Sequence, residues 1–213
     1  MQPPVTRILF IGNSFTARNN VPGLLSQLAE ARGRRCECRL IAAGGASLRM
    51  HWNKGAAQEE MRRVRYDYVV LQEQSTLPIK NPKRMHENIR LFDHAIKAVR
   101  SRTALYLTWA RQNAPETQKQ ITDAYSTIGA ELGAFVIPVG VAWEQFLRHH
   151  RQPLLHDADK SHPTLAGSYL AACVFLKVLL GEDPVGISSS LAGLTQAEAA
   201  ALQKCAMTFE KGV

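Results

Sequence analysis

Five short apolar runs recur along the chain, and their spacing is the strongest limit on what it can fold into. They cover residues 7–12, 36–42, 68–72, 104–108 and 135–138. Successive starts lie about thirty residues apart, the length of a strand–helix–strand unit. Stretches such as "VLQ", "LYLT" and "FVIP" are nearly continuous in apolar residues. A strand with one wet face would alternate; one covered on both faces need not.

Helical periodicity fills most of the gaps. Pro22 opens a helix through "LLSQLAEAR" and Gly33 closes it. Residues 83–100 carry Met85, Ile89, Phe92, Ile96 and Val99 at helical spacing. Residues 116–132 and 141–150 also read as helices, and 165–180 as a strongly apolar one closed by Gly181. Thr195 and Glu198 form a capping box before "AAALQKCAMTF". The alternation predicts an open, doubly wound α/β/α sandwich on a five-stranded parallel sheet.

The 213 residues suffice for one domain and are short for two. There is no repeat, low-complexity tract or linker, and residues 186–193 read as a short connection, so 1–213 is expected to be a single domain. Hydrophobic residues make up 46% and charged residues 21%, which suits a soluble globular protein. No apolar run reaches about 18 residues, so no membrane partner is expected. The start, "MQPPVTRILFIG", lacks a basic segment followed by an apolar signal core, which makes the cytoplasm the expected location.

Cys36 and Cys38 are too close on one strand for a strain-free disulfide or a Cys-x-x-Cys metal knuckle. Cys173 and Cys205 fall in helical patterns, and all four cysteines read as reduced packing residues. The net charge of +8 allows nucleic acid, an acidic surface or an anionic substrate as partner. The basic residues are scattered, however, and no nucleic-acid motif accompanies them, so a solvated surface is the reading and nucleic acid is not expected. No pattern speaks to oligomeric state.

In an open α/β sheet, ligands bind at the carboxyl ends of the strands. Ser14, Gly44, Gly45 and Gln74 all fall just past predicted strand ends. A serine there can be a helix cap, a phosphate ligand or a nucleophile. The Walker loop, the G-x-G-x-x-G fingerprint and the G-x-S-x-G elbow are all missing. As a nucleophile, Ser14 needs a histidine and a group to orient it. "HDADKSHP" offers both: Asp159 and His162 are three residues apart and can share one turn. The same stretch offers His156, Asp157, Asp159 and His162 as a metal cluster, though at no standard ligand spacing. A third reading is a basic binding module that keeps the scaffold and lacks catalysis. Trp109 and Trp143 can wall a pocket or pack in the core. His51, His86, His94, His149 and His150 read as surface or helix residues without a partner.

Together, "IGNSF" and the late "DKSHP" resemble the SGNH or GDSL-type hydrolases, in the branch whose first block reads G-N-S-F. "AAGGASLRMHW", "YVVLQEQSTLP", "YLTWA", "IPVGVAW" and "HPTLAGSYLAACVF" resemble that branch in the same order. The resemblance implies a flavodoxin-like α/β/α fold and serine ester hydrolysis without metal or cofactor. It implies Ser14 as nucleophile, His162 as general base and then acid, and Asp159 as orienting carboxylate. The oxyanion hole would use the N–H of Ser14 and that of Gly44 or Gly45. The family's G-x-N-D block is missing, and "LQEQST" stands in its place. Gln74 is the expected substitute donor, with Gln72, Ser75 and Thr76 as alternatives. The substrate expected is a small-molecule or carbohydrate ester, with a carbohydrate O-acetyl ester preferred.

Overall fold

The computed structural model describes residues 5–189 and 193–209. Five strands form one parallel sheet: β1 (Val5–Gly12), β2 (Arg35–Ala42), β3 (Tyr68–Leu71), β4 (Arg102–Tyr106) and β5 (Phe135–Ile137). Their order is β2-β1-β3-β4-β5, the flavodoxin-like order. The chain leaves β1 toward β2 and later returns to its other side with β3. The topological switch point is therefore the crevice between the ends of β1 and β3.

Among the described residues, ten α-helices connect and cover the sheet. Those between β1 and β3 are α1 (Ser14–Ala17), α2 (Val21–Ala31), α3 (Leu48–Lys54) and α4 (Ala56–Arg63). Then come α5 (Leu77–Lys80), α6 (Pro82–Ala98), α7 (Gln118–Leu132), α8 (Val139–His149), α9 (Leu165–Phe175) and α10 (Gln196–Ala206). The pleat sends Ile8 and Phe10 into a core shared with α2, α8, α9 and α10. It sends Leu9 and Ile11 into a second core shared with α3, α4, α6 and α7. All four are fully buried, which is why β1 carries no polar alternation.

The apolar helix α9 is buried along almost its whole length, so it has no polar face to show. The Thr164 hydroxyl caps its first turn by accepting from the Gly167 N–H at 3.2 Å. Gly167 has to be glycine: a Cβ there would meet the Trp143 ring at 2.3 Å and the Leu155 carbonyl oxygen at 2.6 Å. The predicted helix ends here with a π-helical turn over Leu176–Leu180 and Gly181 beyond it. The capping box at Thr195 is formed, with Glu198 bonding back to the Thr195 N–H. The expected connection at 186–193 lies partly outside the described residues.

The sequence reading passed over α3 and α4. Both are short, and α4 is strongly polar, with only Ala57 and Met61 buried. Ser47 caps α3, and Gly55 closes it in the left-handed region, with φ of 76°. Among the described residues, no helix is long and apolar enough to cross a membrane.

Candidate active site

β1 ends at Gly12, and the next two residues turn sharply into α1. Asn13 builds this turn. Its side-chain oxygen accepts from the Phe15 N–H at 3.0 Å, and its amide donates to the Ala46 carbonyl at 3.1 Å. One side chain thus caps the serine's helix and ties it to the turn that follows β2. Gln72, buried at the end of β3, completes the clamp. Its oxygen accepts from the Asn13 N–H at 2.9 Å and from the Thr16 hydroxyl at 3.0 Å. A Cβ on Gly12 would sit 2.7 Å from that oxygen, so only glycine leaves room for the clamp.

Ser14 emerges half-buried from this turn, and its hydroxyl lies 2.8 Å from His162 Nε2. His162 Nδ1–H donates to Asp159 Oδ2. The other Asp159 oxygen accepts from the Ser161 and His162 N–H groups at 3.0 and 2.9 Å. The two residues share one tight turn, as their spacing suggested, but it is built on the carboxylate itself. The His162 side chain and the two backbone N–H groups hold the Asp159 carboxyl well below the usual carboxylate range. It therefore stays an acceptor, fixes the Nδ1–H tautomer, and leaves Nε2 to accept from Ser14.

This loop is a hairpin closed by a bridge between His156 and Pro163. The Asp157 N–H donates to the His162 carbonyl at 2.8 Å. Arg18 pairs with Asp157, and Asn19 donates to the Pro163 carbonyl at 3.1 Å, so the segment after α1 also grips the hairpin. Beneath it runs a stack of rings. Phe15 lies edge-on to His162 with centroids 5.5 Å apart, and stacks on Trp109 at 4.7 Å. Trp109 stacks on Trp143 at 4.0 Å, and Trp143 meets His156 edge-on at 5.1 Å. Trp109 also donates through Nε1–H to the Ser161 carbonyl at 3.0 Å, one residue before His162. Both tryptophans are buried, so the choice left open by the sequence falls to core packing.

His156 is buried and fully engaged. Its Nε2–H donates to the Ala110 carbonyl at 3.0 Å, and its Nδ1 accepts from Trp143 Nε1–H at 3.4 Å. Neither nitrogen is left for a cation. Asp157 is likewise committed to Arg18 and the Ala158 N–H. Among the described residues, no cluster of three or more His, Cys, Asp or Glu side chains could hold a metal.

The turn after β2 runs from Ala43 to Ala46, closed by an N–H to carbonyl bond of 3.1 Å. Gly44 and Gly45 form its exposed tip, and Gly45 has φ of 66°, which favours glycine. Among the described residues, neither the Gly44 N–H nor the Ser14 N–H has a partner. The Gln74 side-chain oxygen accepts from the Thr76 N–H and hydroxyl at 2.9 and 3.0 Å. That anchors the side chain by its oxygen and leaves its NH₂ without a partner among the described residues. Gln72, an alternative donor in the sequence reading, has its NH₂ committed to the Glu73 carbonyl.

Two histidines and a glutamate escaped the sequence reading. His51 was expected on the surface without a partner; it is buried, and its Nε2–H donates to the Gly12 carbonyl at 2.7 Å. It thereby holds the end of β1 one turn before Ser14, and burial pushes its pKa down. His86 also has a partner, the Ala124 carbonyl at 2.8 Å. The glutamate is Glu73, a fully buried carboxylate beside Gln74. Burial pushes its pKa up, against the pull of its N–H donors. The Gly12, Ala124, Leu48 and Asn88 partners lie 15 to 39 residues off in the chain, so no local pattern announces them.

A scan against protein-family models finds no match, and no curated protein matches the chain. Solved structures do. A protein of Slackia heliotrinireducens assigned to the SGNH hydrolases is 28% identical, with a TM-score of 0.72 over 82% of this chain and 98% of that one. A DUF4886 family protein from Bacteroides uniformis is 20% identical, with a TM-score of 0.78 over 96% and 94%. An acetyl-xylooligosaccharide esterase from Geobacillus is 19% identical, with a TM-score of 0.62 over 83% and 95%. The last two likenesses speak to the fold alone. The fold and the likeness at 28% identity are those of the SGNH/GDSL-type hydrolase superfamily.

Proposed function

We propose that the chain is a serine esterase working through an acyl-enzyme, with Ser14, His162 and Asp159 as its triad. The observation that carries this reading is the 2.8 Å contact between Ser14 Oγ and His162 Nε2, continued from Nδ1 to Asp159. Ser14 Oγ attacks the ester carbonyl while its proton passes to Nε2. The tetrahedral oxyanion is held by the N–H groups of Ser14 and Gly44 and by the Gln74 amide. Each such donor is worth roughly 3 kcal/mol of barrier. As the intermediate collapses, Nε2 returns the proton to the departing alcohol oxygen, leaving an ester on Ser14. Water then attacks that ester, gives its proton to Nε2, and the acid leaves as Ser14 regains its hydrogen. Asp159 keeps the imidazole oriented and stabilises its cation in both halves.

For the substrate, we favour a short acyl group on a carbohydrate. Ser14 and His162 are half-buried at the sheet edge, and one neighbour of the same fold is an acetyl-xylooligosaccharide esterase. The test uses acetylated oligosaccharides, short and long acyl esters of nitrophenol, and a fluorophosphonate probe. Wild type should release acetate and label at Ser14. Ser14→Ala should do neither, and its turnover should fall by on the order of 10⁴-fold or more. Equal labelling of wild type and Ser14→Ala would end this reading.

A further inference from the structure

The oxyanion donors come from three separate loops, so something must hold those loops in register. The nucleophile turn is tied to the glycine turn by Asn13, and to the end of β3 by Gln72. Nothing in that clamp fixes the glycine turn against Gln74. Glu73 does. One of its carboxylate oxygens accepts from the Leu48 N–H at 2.9 Å and from the Gln74 N–H at 2.7 Å. Leu48 is the first residue of α3, two past the Ala43–Ala46 turn. A single oxygen atom therefore joins the loop that presents Gly44 to the loop that presents Gln74. The other oxygen accepts from the Asn88 amide at 2.8 Å, which anchors the carboxylate to α6. Asn88 is itself buried, and its oxygen accepts from Arg49 Nε–H at 3.0 Å. Glu73 is fully buried, and all three of its side-chain partners are donors.

We infer that Glu73 is the positioning residue of this site: its carboxylate sets the spacing between the glycine turn and Gln74, and so aligns two oxyanion donors that it does not itself replace. The inference rests on the esterase reading above. A buried carboxylate is costly unless fully paired, and an apolar residue could fill the space without that cost. What an apolar residue could not do is gather two N–H groups from different loops on one atom. A shift of about 1 Å in such donors is enough to cost on the order of 10²-fold in rate. The oxyanion develops in the transition state, so the effect falls on kcat more than on KM.

The pairing also dictates its own repair. In Glu73→Gln, one oxygen keeps Leu48 and Gln74, but the new NH₂ points at the NH₂ of Asn88. Asn88 cannot flip without turning its NH₂ toward Arg49. Changing Asn88 to Asp restores an acceptor for both neighbours and moves the negative charge across the same bond. The experiment measures kcat, KM and thermal melting for wild type, Ser14→Ala, Glu73→Gln and Glu73→Gln/Asn88→Asp on a nitrophenyl acetate substrate. Glu73→Gln should lose on the order of 10²-fold in kcat with KM changed by less than about threefold. The double variant should recover about tenfold or more of that loss. Unchanged kcat in a folded Glu73→Gln, or equal loss in single and double variants, overturns the inference. Should Glu73→Gln not fold, Asn88→Ala takes its place. It keeps the joining oxygen but frees the carboxylate from α6, and should lose about tenfold in kcat at unchanged KM; wild-type kcat there overturns the inference too. Turnover that survives Ser14→Ala sinks the esterase reading and this inference with it. Ser14-dependent turnover with no effect at Glu73 or Asn88 sinks the inference alone.

Discussion

On one side of Ser14, rings do the holding: His162 meets Phe15 edge-on, Phe15 stacks on Trp109, Trp109 on Trp143, and Trp143 meets His156 edge-on. On the other side the holding is polar, through Asn13, Gln72, Glu73 and Asn88, all buried and all hydrogen-bonded. The two walls fail in different ways. Stacked rings are held by area and shape, which degrade gradually when one ring shrinks. A buried polar network is specified by individual donors and acceptors, and one missing partner leaves another unpaired. In the proposed mechanism, the moving proton is served by the aromatic wall and the developing negative charge by the polar one. A base tolerates small errors of position, because it must reach only one atom. Three donors converging on one oxygen do not.

The sharpest way to break this contrast is on the polar side. Gln74→Ala is expected to lower kcat by roughly 10²- to 10³-fold while the melting temperature stays near wild type. Near-normal turnover in the folded variant would move the third donor to Ser75 or Thr76. On the aromatic side, Gly167→Ala drives a methyl group into Trp143 and the Leu155 carbonyl. It should cost about 1–3 kcal/mol of stability by denaturant unfolding. Its effect on kcat should be smaller than that of Gln74→Ala, and the reverse order would undo the division between the walls. The smallest expected effect compares the buried histidines, one in each wall. Burial lowers the pKa of both His51 and His156, so each is neutral in the fold. Below about pH 6.5 the unfolded chain takes up protons that these sites refuse, and stability should fall with the pH. His51→Gln keeps the donor to Gly12 and removes the titration, so its melting temperature should fall less steeply between neutral pH and about pH 5.5. Identical slopes in wild type and His51→Gln would show that this histidine is not held neutral.

The strands were legible because a doubly covered sheet writes itself as unbroken apolar runs, and β1 to β5 fall within a few residues of those runs. Helix α9 was legible for the same reason. The pair α3 and α4 was not, because "RMHWNKGAAQEEMRRV" buries too few side chains to leave a stripe. At the site, Ser14, Asp159 and His162 were singled out from a strand end and a short local spacing, and the structure brings them together. Gln74 was singled out as a candidate donor, while its neighbour Glu73 was passed over. A carboxylate in a polar loop reads as solvated; that it is enclosed depends on Leu48 and Asn88, which only the fold brings near. His51 was misjudged for the same reason, its partner lying 39 residues away at Gly12.

The separation between Ser14 and His162 has a consequence in time. They stand 148 residues apart in the chain, while His162 and Asp159 are neighbours. A ribosome adding about 5–20 residues each second delivers Ser14 roughly 7–30 seconds before His162. Throughout that interval the growing polypeptide exposes an ordinary hydroxyl, no more reactive than any other serine. His162 arrives with Asp159 already beside it and with Phe15, Arg18, Asn19 and Trp109, which the hairpin meets, already made. Under the proposed mechanism, Ser14 is activated only once residue 162 has been made, and a copy that stops before it carries an unactivated serine.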